Sequence, residues 1–141
     1  MIKKEYIYLF AIILLSFFLN FFVASRGVFP VDTFIHYDSG FRILIGELPI
    51  RDFWIVHGFI IDYIQALFFY IFGNNWYAYI IHSSIFNSII VAFTYYIFNH
   101  LNIKSFYSLV LSICLGFLAY PVSGTPFLDL HSSFFSMLAM Y

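Results

Sequence analysis

Residues 6–24 read YIYLFAIILLSFFLNFFVA, an apolar run that only Ser16 and Asn20 interrupt. As a helix this run is roughly 28 Å long, about the thickness of one hydrocarbon core. Lys3 and Lys4 precede it, so the positive-inside rule predicts a cytoplasmic N-terminus. A cleaved signal peptide is the alternative, but its apolar part is shorter, at about 7–15 residues. The run therefore predicts a first transmembrane helix over 6–24.

The composition of the whole chain is that of a membrane protein. Of 141 residues, 63% are hydrophobic, 25% are aromatic and only 9% are charged, whereas roughly a quarter of a soluble domain is charged. This composition excludes a soluble enzyme and a disordered chain, and the net charge of −1 excludes a nucleic-acid partner. The single cysteine, Cys114, excludes an internal disulfide and a multi-cysteine metal site. The predicted class is an all-α integral membrane protein with several spans.

The charged residues concentrate in the segment that follows the first span. Residues 25–52 hold three of the six basic and four of the seven acidic residues, and each charge at mid-membrane costs about 2.5–3.5 kcal/mol. We therefore expect an outer loop over 25–76, with an amphipathic surface helix at 32–46. Asp32 and Thr33 can cap the start of this helix, and Gly46 or Pro49 can end it.

The segment 53–72 is long enough to span, yet four of its residues form a polar stripe about 140° wide on a helix: His57, Gly58, Asp62 and Gln65. Such a stripe suits either a span that faces a bundle interior or a second surface helix. The positive-inside rule favours the surface helix, because Lys104 is then cytoplasmic. Asp62 is expected to be solvated or paired, which is also easier at the interface. In that topology Asp32 and Asp129 face the same outer compartment.

The rest of the chain predicts two more complete spans, at 77–98 and 106–120. The turn-rich stretch 121–131 is expected to form a second outer loop, and residues 132–141 begin another apolar run without completing a span. We therefore expect the chain to be the N-terminal part of a longer protein. His82, His100 and His131 are expected to be interfacial or to face the bundle.

Several short motifs follow one another along the chain: FPVD at 29–32, Tyr37, RILIGELPIRDF at 42–53, HG at 57–58, ALFFYIFG at 66–73 and SGTPFLD at 123–129. In order and spacing they resemble GT-C superfamily glycosyltransferases, which include protein O-mannosyltransferases, lipid A aminoarabinose transferases and lipopolysaccharide-core transferases. The resemblance covers nearly the whole chain. It implies a multi-span bundle with juxtamembrane helices in the first outer loop and a sugar donor linked to polyprenyl phosphate. Many relatives carry an acidic pair where this chain has Asp32 and Thr33.

The resemblance implies roles for two carboxylates. Asp32 is the candidate general base that activates the acceptor hydroxyl, and its structural alternative is a helix N-cap. Asp129 is the candidate second carboxylate, which would bind the acceptor or a divalent cation, and its alternative is an N-cap of the next span. No spacing of histidines and carboxylates specifies a metal, so the sequence leaves a divalent cation open without predicting one.

Three further residues are candidates for binding the donor phosphate. Arg51 and Arg42 carry guanidinium groups, which make paired bonds to phosphate oxygens, and His57 lies near the Arg51 turn. For the two arginines, the alternatives are contacts with ordinary lipid headgroups or ion pairs with Asp52 and Asp38. For His57, the alternative is an interfacial histidine with no role in phosphate binding.

The expected function is an inverting transfer of a sugar from a polyprenyl-phosphate donor to an acceptor hydroxyl. The expected partners are the lipid-linked donor, a glycan, lipid or protein acceptor, and membrane lipid. The expected location is the bacterial inner membrane with the loops facing outward. One alternative is a fragment of a transporter or channel in which Asp62, His57 and Asn87 line a polar path. Another is a membrane protein without enzymatic activity.

Overall fold

A computed structural model describes residues 4–27 and 32–141, and the regular elements in these ranges are helices. In chain order they are α1 (Lys4–Arg26), α2 (Ile35–Leu44), α3 (Ile60–Phe72), α4 (Trp76–His100), α5 (Ser105–Leu118), α6 (Tyr120–Ser123) and α7 (Leu128–Met140). Pro49 and Phe53 form an isolated bridge, and no strand occurs in the described ranges, so the predicted all-α class is confirmed. Lys3 and residues 29–31 of the FPVD motif lie outside the described residues.

Three described segments are long and apolar enough to cross a membrane: Lys4–Arg26, Trp76–His100 and Ser105–Ser123. Each of them contains one of the predicted spans, 6–24, 77–98 and 106–120. The third starts before its apolar run and continues through α6, which gives it the length that the sequence run alone lacks. These helices indicate a membrane protein.

The three long helices contact one another through small and polar side chains. Asn87 of α4 donates from Nδ2 to the carbonyl oxygens of Ser16 in α1, at 2.9 Å, and of Gly116 in α5, at 3.2 Å. Ser88 Oγ donates to the carbonyl of Ile13 at 3.0 Å. Because lipid tails are as apolar as the side chains they surround, close approach and interhelical hydrogen bonds hold such helices together. The polar residues of 77–98 therefore face the bundle.

Contacts at the two ends of α4 fix the relative directions of the helices. Near its start, Trp76 Nε1 donates to the carbonyl of Ala24, at 3.4 Å, and near its end Tyr95 Oη donates to the carbonyl of Glu5, at 3.5 Å. α4 is therefore antiparallel to α1. The segment around Lys104 lies at the same end of the bundle as the start of α1, and the loops before α4 and after α5 lie at the other end.

The helices α2 and α3 form a small layer against the start of α4. Phe69 of α3 is buried with Ala78 and Tyr79 of α4, and the partly buried side chains of this cluster come from α2 and the start of α4: Tyr37, Phe41, Leu44 and Trp76. α3 is too short to be among the segments that could span. It packs beside α4, which is the arrangement that the surface-helix topology requires.

Both helices of this layer are shorter than predicted. α2 covers Ile35–Leu44 of the expected 32–46, and Gly46, at φ +95°, ends it as expected. Its end is a Schellman motif, in which the N–H groups of Gly46 and Glu47 donate to the carbonyls of Ile43 and Arg42.

The predicted capping of α2 by Asp32 and Thr33 is wrong. The N-cap position is occupied by Phe34, which makes no side-chain capping bond, and Asp32 has a left-handed φ of 58°. α3 begins at Ile60 instead of at residue 53. Residues 48–53 form a turn before it, in which Asp52 N–H donates to the carbonyl of Leu48 at 2.9 Å.

Candidate functional site

An open groove with a volume of about 490 Å³ lies between α2 and the segment that leads to α3. Its described lining combines charged, aromatic and aliphatic side chains: Ile35, Asp38, Ser39, Arg42, Asp52, Phe53, Trp54, Ile55, Val56 and His57. We call it the loop groove. Of the five residues predicted for catalysis or phosphate binding, Arg42 and His57 are part of this lining.

Arg42 is held by two carboxylates at the edge of the loop groove. Its Nε donates to Asp38 Oδ2 at 2.8 Å, and its Nη1 donates to Glu47 Oε2 at 3.1 Å. These hydrogen bonds raise the pKa of the Arg42 guanidinium above its usual value. The guanidinium also lies over the Phe53 ring, 5.6 Å from its centroid. Two of its five N–H donors therefore bind carboxylates, and an anionic ligand would share the guanidinium with them or displace them.

Arg51 makes the paired interaction expected of a guanidinium, but with its neighbour. Its Nε and Nη2 donate to the two carboxylate oxygens of Asp52, at 2.9 and 2.6 Å. Asp52 also accepts from the Leu48 N–H at 2.8 Å. The bond from Arg51, followed by the one from Leu48, lowers the pKa of Asp52 below its usual value. Arg51 adjoins the loop groove through Asp52 and is not among its described lining.

A buried carboxylate joins two histidines beneath the loop groove. Asp62, in the first turn of α3, is fully buried, and its Oδ1 lies 2.8 Å from His36 Nδ1. Its Oδ2 lies 3.0 Å from His57 Nε2. The two imidazole rings meet edge to face, with their centroids 4.7 Å apart. We call these three residues the His–Asp cluster. Asp62 is thus paired as expected, but inside the protein instead of at a solvated interface.

His36 was not among the residues predicted from the sequence to form a site. It lies in the first turn of α2, whereas its partner Asp62 lies in α3, and no local pattern connects residues so far apart in the chain. Only His57 and Asp62 are close enough in the sequence to be associated from it, because they lie on either side of Ile60, where α3 begins. The cluster therefore depends on the tertiary packing of α2 against α3.

A second set of buried polar groups connects α3, α4 and α7. His82 Nδ1 lies 2.7 Å from Gln65 Oε1, and His82 Nε2 lies 3.0 Å from His131 Nε2. The Tyr120 hydroxyl lies 2.6 Å from His131 Nδ1. Burial lowers the pKa of His131 to about 4. With neutral rings, these three contacts are satisfied if Tyr120 donates to His131, His131 to His82, and His82 to Gln65. His131 Nδ1 then has no proton for the Phe127 carbonyl, which lies 3.0 Å away. His82 and His131 face the bundle, one of the two expected positions.

The two carboxylates predicted for catalysis are both exposed. Asp32 precedes Thr33, whose carbonyl accepts a hydrogen bond from the Tyr79 hydroxyl. Asp129 lies in the first turn of α7 and lines a separate cavity of about 320 Å³ beside Leu118 and Phe127. Neither is part of the described lining of the loop groove.

The two loops that were predicted to face outward both contact the first turns of α4. The Tyr79 hydroxyl donates to the carbonyl of Thr33, and Ser83 Oγ donates to the carbonyl of Gly124 at 3.0 Å. The chain positions next to Asp32 and shortly before Asp129 therefore lie at one end of the same helix.

Together, these features define a helical membrane protein with an open polar groove and a buried His–Asp cluster at one end. No protein-family model matches the chain, and no curated protein or solved structure is similar to it at a significant level.

Proposed function

We propose that the chain forms the N-terminal part of a GT-C-like membrane glycosyltransferase. It would move a sugar from a polyprenyl-phosphate donor to an acceptor hydroxyl on the outer face of the bacterial inner membrane. The observation that carries the proposal is the attachment of both outer loops to the start of α4, with α3 packed beside α4 instead of spanning. An enzyme of this kind needs both loops in one compartment, since one holds the donor and the other completes the acceptor site.

In this proposal the acceptor hydroxyl attacks the anomeric carbon while the bond from that carbon to the phosphate oxygen breaks. Asp32 takes the hydroxyl proton, and the phosphate leaves with the electron pair of the broken bond, so the configuration inverts. The exposure of Asp32 leaves its carboxylate accessible to an acceptor. Asp129, in the second loop, would bind the acceptor.

The loop groove offers a place for the donor phosphate. Arg42 and His57 line it, and Arg51 adjoins it. Each guanidinium is already paired with a carboxylate, so the donor phosphate would take over these bonds. Exposed apolar side chains nearby, Trp54 at 82% and Val56 at 72%, provide a surface for the lipid or the sugar ring.

The topology can be tested by cysteine accessibility in cells. In a Cys114→Ser background, Trp54→Cys and Leu130→Cys probe the two predicted outer loops, and Leu101→Cys probes the opposite end; Trp54 and Leu101 are well exposed and Leu130 is partly exposed. We expect a membrane-impermeant thiol reagent to label positions 54 and 130 from outside and position 101 only after lysis. Labelling of 54 and 130 from opposite sides would overturn the proposal.

The chemistry can be tested by complementation of a strain that lacks the gene. Envelope glycans are compared by mass spectrometry after expression of wild type, Asp32→Asn or Glu5→Gln, the last being a carboxylate in the first turn of α1 at the other end. We expect wild type and Glu5→Gln to restore the missing sugar and Asp32→Asn to fail at equal protein levels. Restoration by Asp32→Asn would show that Asp32 is not the base.

A further inference from the structure

The His–Asp cluster has the donor atoms of a metal site. One ligand atom each from His36, His57 and Asp62 can be chosen so that all three lie within 4.8 Å of one another. The three side chains are well shielded: the exposed fraction is 6% for each histidine side chain and zero for Asp62. Two imidazoles and one carboxylate are a common donor set for zinc and for other divalent transition metals.

The charge of Asp62 is the physical reason to expect a cation here. A buried carboxylate is costly unless a positive partner accompanies it. In the described part of the chain, neither lysine nor arginine pairs with Asp62, and its contacts are the two imidazoles. Two neutral imidazoles leave the cluster with one negative charge. A divalent cation among the three groups would compensate this charge and replace the protons on the two imidazole nitrogens that face the carboxylate; these protons would move to the other ring nitrogens or be released.

We propose that His36, His57 and Asp62 bind one divalent transition-metal ion, with zinc as the probe. The proposal depends on the geometry of the cluster and does not require glycosyltransferase activity. Donors of a tetrahedral zinc ion lie about 3.4 Å apart, given metal–ligand bonds of about 2.1 Å. The two histidine–carboxylate distances are 2.8 and 3.0 Å. The donors of each histidine–carboxylate pair therefore need to separate by about 0.4–0.6 Å to admit the ion. The chosen donor atoms lie within 4.8 Å of one another, so any pair farther apart than about 3.4 Å has to close toward that distance.

The site has an access path and a free position. His57 lines the loop groove, so an ion can reach the cluster from the open side without passing through the bundle. Three protein ligands leave a fourth position, as in metal sites that also bind water or a substrate. The ligands come from α2, from the segment before α3 and from α3 itself, so the ion would join all three.

The test measures metal binding by the whole chain, purified in detergent through an affinity tag that contains no histidine. After removal of metal with a chelator, Co²⁺ is added and its visible absorption is recorded, and Zn²⁺ is then used to displace it. We expect about one Co²⁺ per chain with the intensity of a tetrahedral site. We expect His57→Gln and Asp62→Asn each to weaken Co²⁺ binding about 10–100-fold. Loss of a group that only orients a metal ligand through a hydrogen bond already has an effect of this size.

Two control variants distinguish this cluster from the other histidines. His100→Gln alters an exposed histidine at the far end of α4, and His131→Gln alters the buried contact with His82. Both should bind Co²⁺ as wild type does. Absence of binding by wild-type protein of native helical content would overturn the proposal, as would unchanged affinity of His57→Gln. If Asp62→Asn does not fold, His57→Gln still decides, because His57 precedes α3 in a non-helical segment.

Discussion

Gly40 lies where α2 packs against α3, and we expect its replacement by alanine to destabilise the protein. Gly40 is a buried residue within α2, and a Cβ placed on it would lie 2.7 Å from Gln65 Cγ and 3.0 Å from Gln65 Cβ. The same Cβ would lie 3.4 Å from the backbone nitrogen of Ala66. The glycine therefore permits the two helices to approach closely.

The magnitude follows from how far Gln65 must move. Ordinary contacts begin at 3.4 Å, so Cγ would have to retreat by 0.7 Å (3.4 − 2.7). Gln65 is fully buried and its Oε1 is held by His82 at 2.7 Å, so its side chain cannot swing away. Overpacking costs about 1–3 kcal/mol, whereas alanine is about 1 kcal/mol better than glycine within a helix. We expect Gly40→Ala to destabilise the protein by about 1 kcal/mol.

The assay is unfolding in mixed micelles by titration with SDS, monitored by the fluorescence of Trp76 in a Trp54→Phe background. Trp76 packs against Tyr37 of α2, with ring centroids 6.4 Å apart, and therefore reports on the layer that should loosen. Gly58→Ala is the control, because nothing lies within 4 Å of its added Cβ.

A second background tests the cause of the effect. In Gln65→Ala the obstructing Cγ is absent, so Gly40→Ala should cost less there than in wild type. The reasoning is refuted if Gly40→Ala raises the unfolding midpoint. It is also refuted if the substitution costs the same in both backgrounds.

Three further expectations concern other parts of the molecule. Asn87→Ala removes two interhelical hydrogen bonds, each worth about 0.6 and at most about 1.7 kcal/mol in a membrane, so SDS unfolding should show a loss of about 1–3 kcal/mol. The pKa of Asp52 is lowered chiefly by Arg51, so the contribution of this ion pair to stability is present above the usual carboxyl pKa and is lost as the pH falls through the lowered pKa. Carboxyl NMR should show Asp52 titrating below the usual range, and Arg51→Gln should raise the pKa of Asp52. Gly46→Ala places a Cβ at φ +95° and should lower the free energy of unfolding in SDS by about 1 kcal/mol, unlike Gly58→Ala.

The spans were predictable because they depend on local composition. The apolar run at 6–24 and the run at 77–98 each lie within one long helix, α1 and α4. The end of α2 was equally predictable. Gly46, one of the two residues expected to end this helix, has the left-handed conformation that does so. Each of these features is determined by residues within a few positions of one another.

The candidate site was less predictable because its contacts join distant segments. Mean hydropathy over the segment counts Asp62 and His57 as polar side chains that need contact with water. The structure satisfies them instead with each other and with His36. Likewise, phosphate binding was the role expected of Arg51 and an ion pair with Asp52 the alternative, and two of its five N–H donors bind that carboxylate in the same turn. Sequence spacing indicates which groups are present, but not which of them neutralise one another.

α3 links the two buried polar systems. Asp62 belongs to the His–Asp cluster and Gln65, on the next turn, belongs to the chain of groups that runs through His82 to His131. Since Gly40 packs directly on Gln65, a movement of α2 would displace both systems at once. Occupation of the loop groove by a ligand would act on α2, and thus on the contacts that hold α3 to α4 and α7. Polar groups find few other partners inside a membrane. The contacts through Gly40 and Gln65 therefore connect the loop groove to the buried polar groups of the bundle.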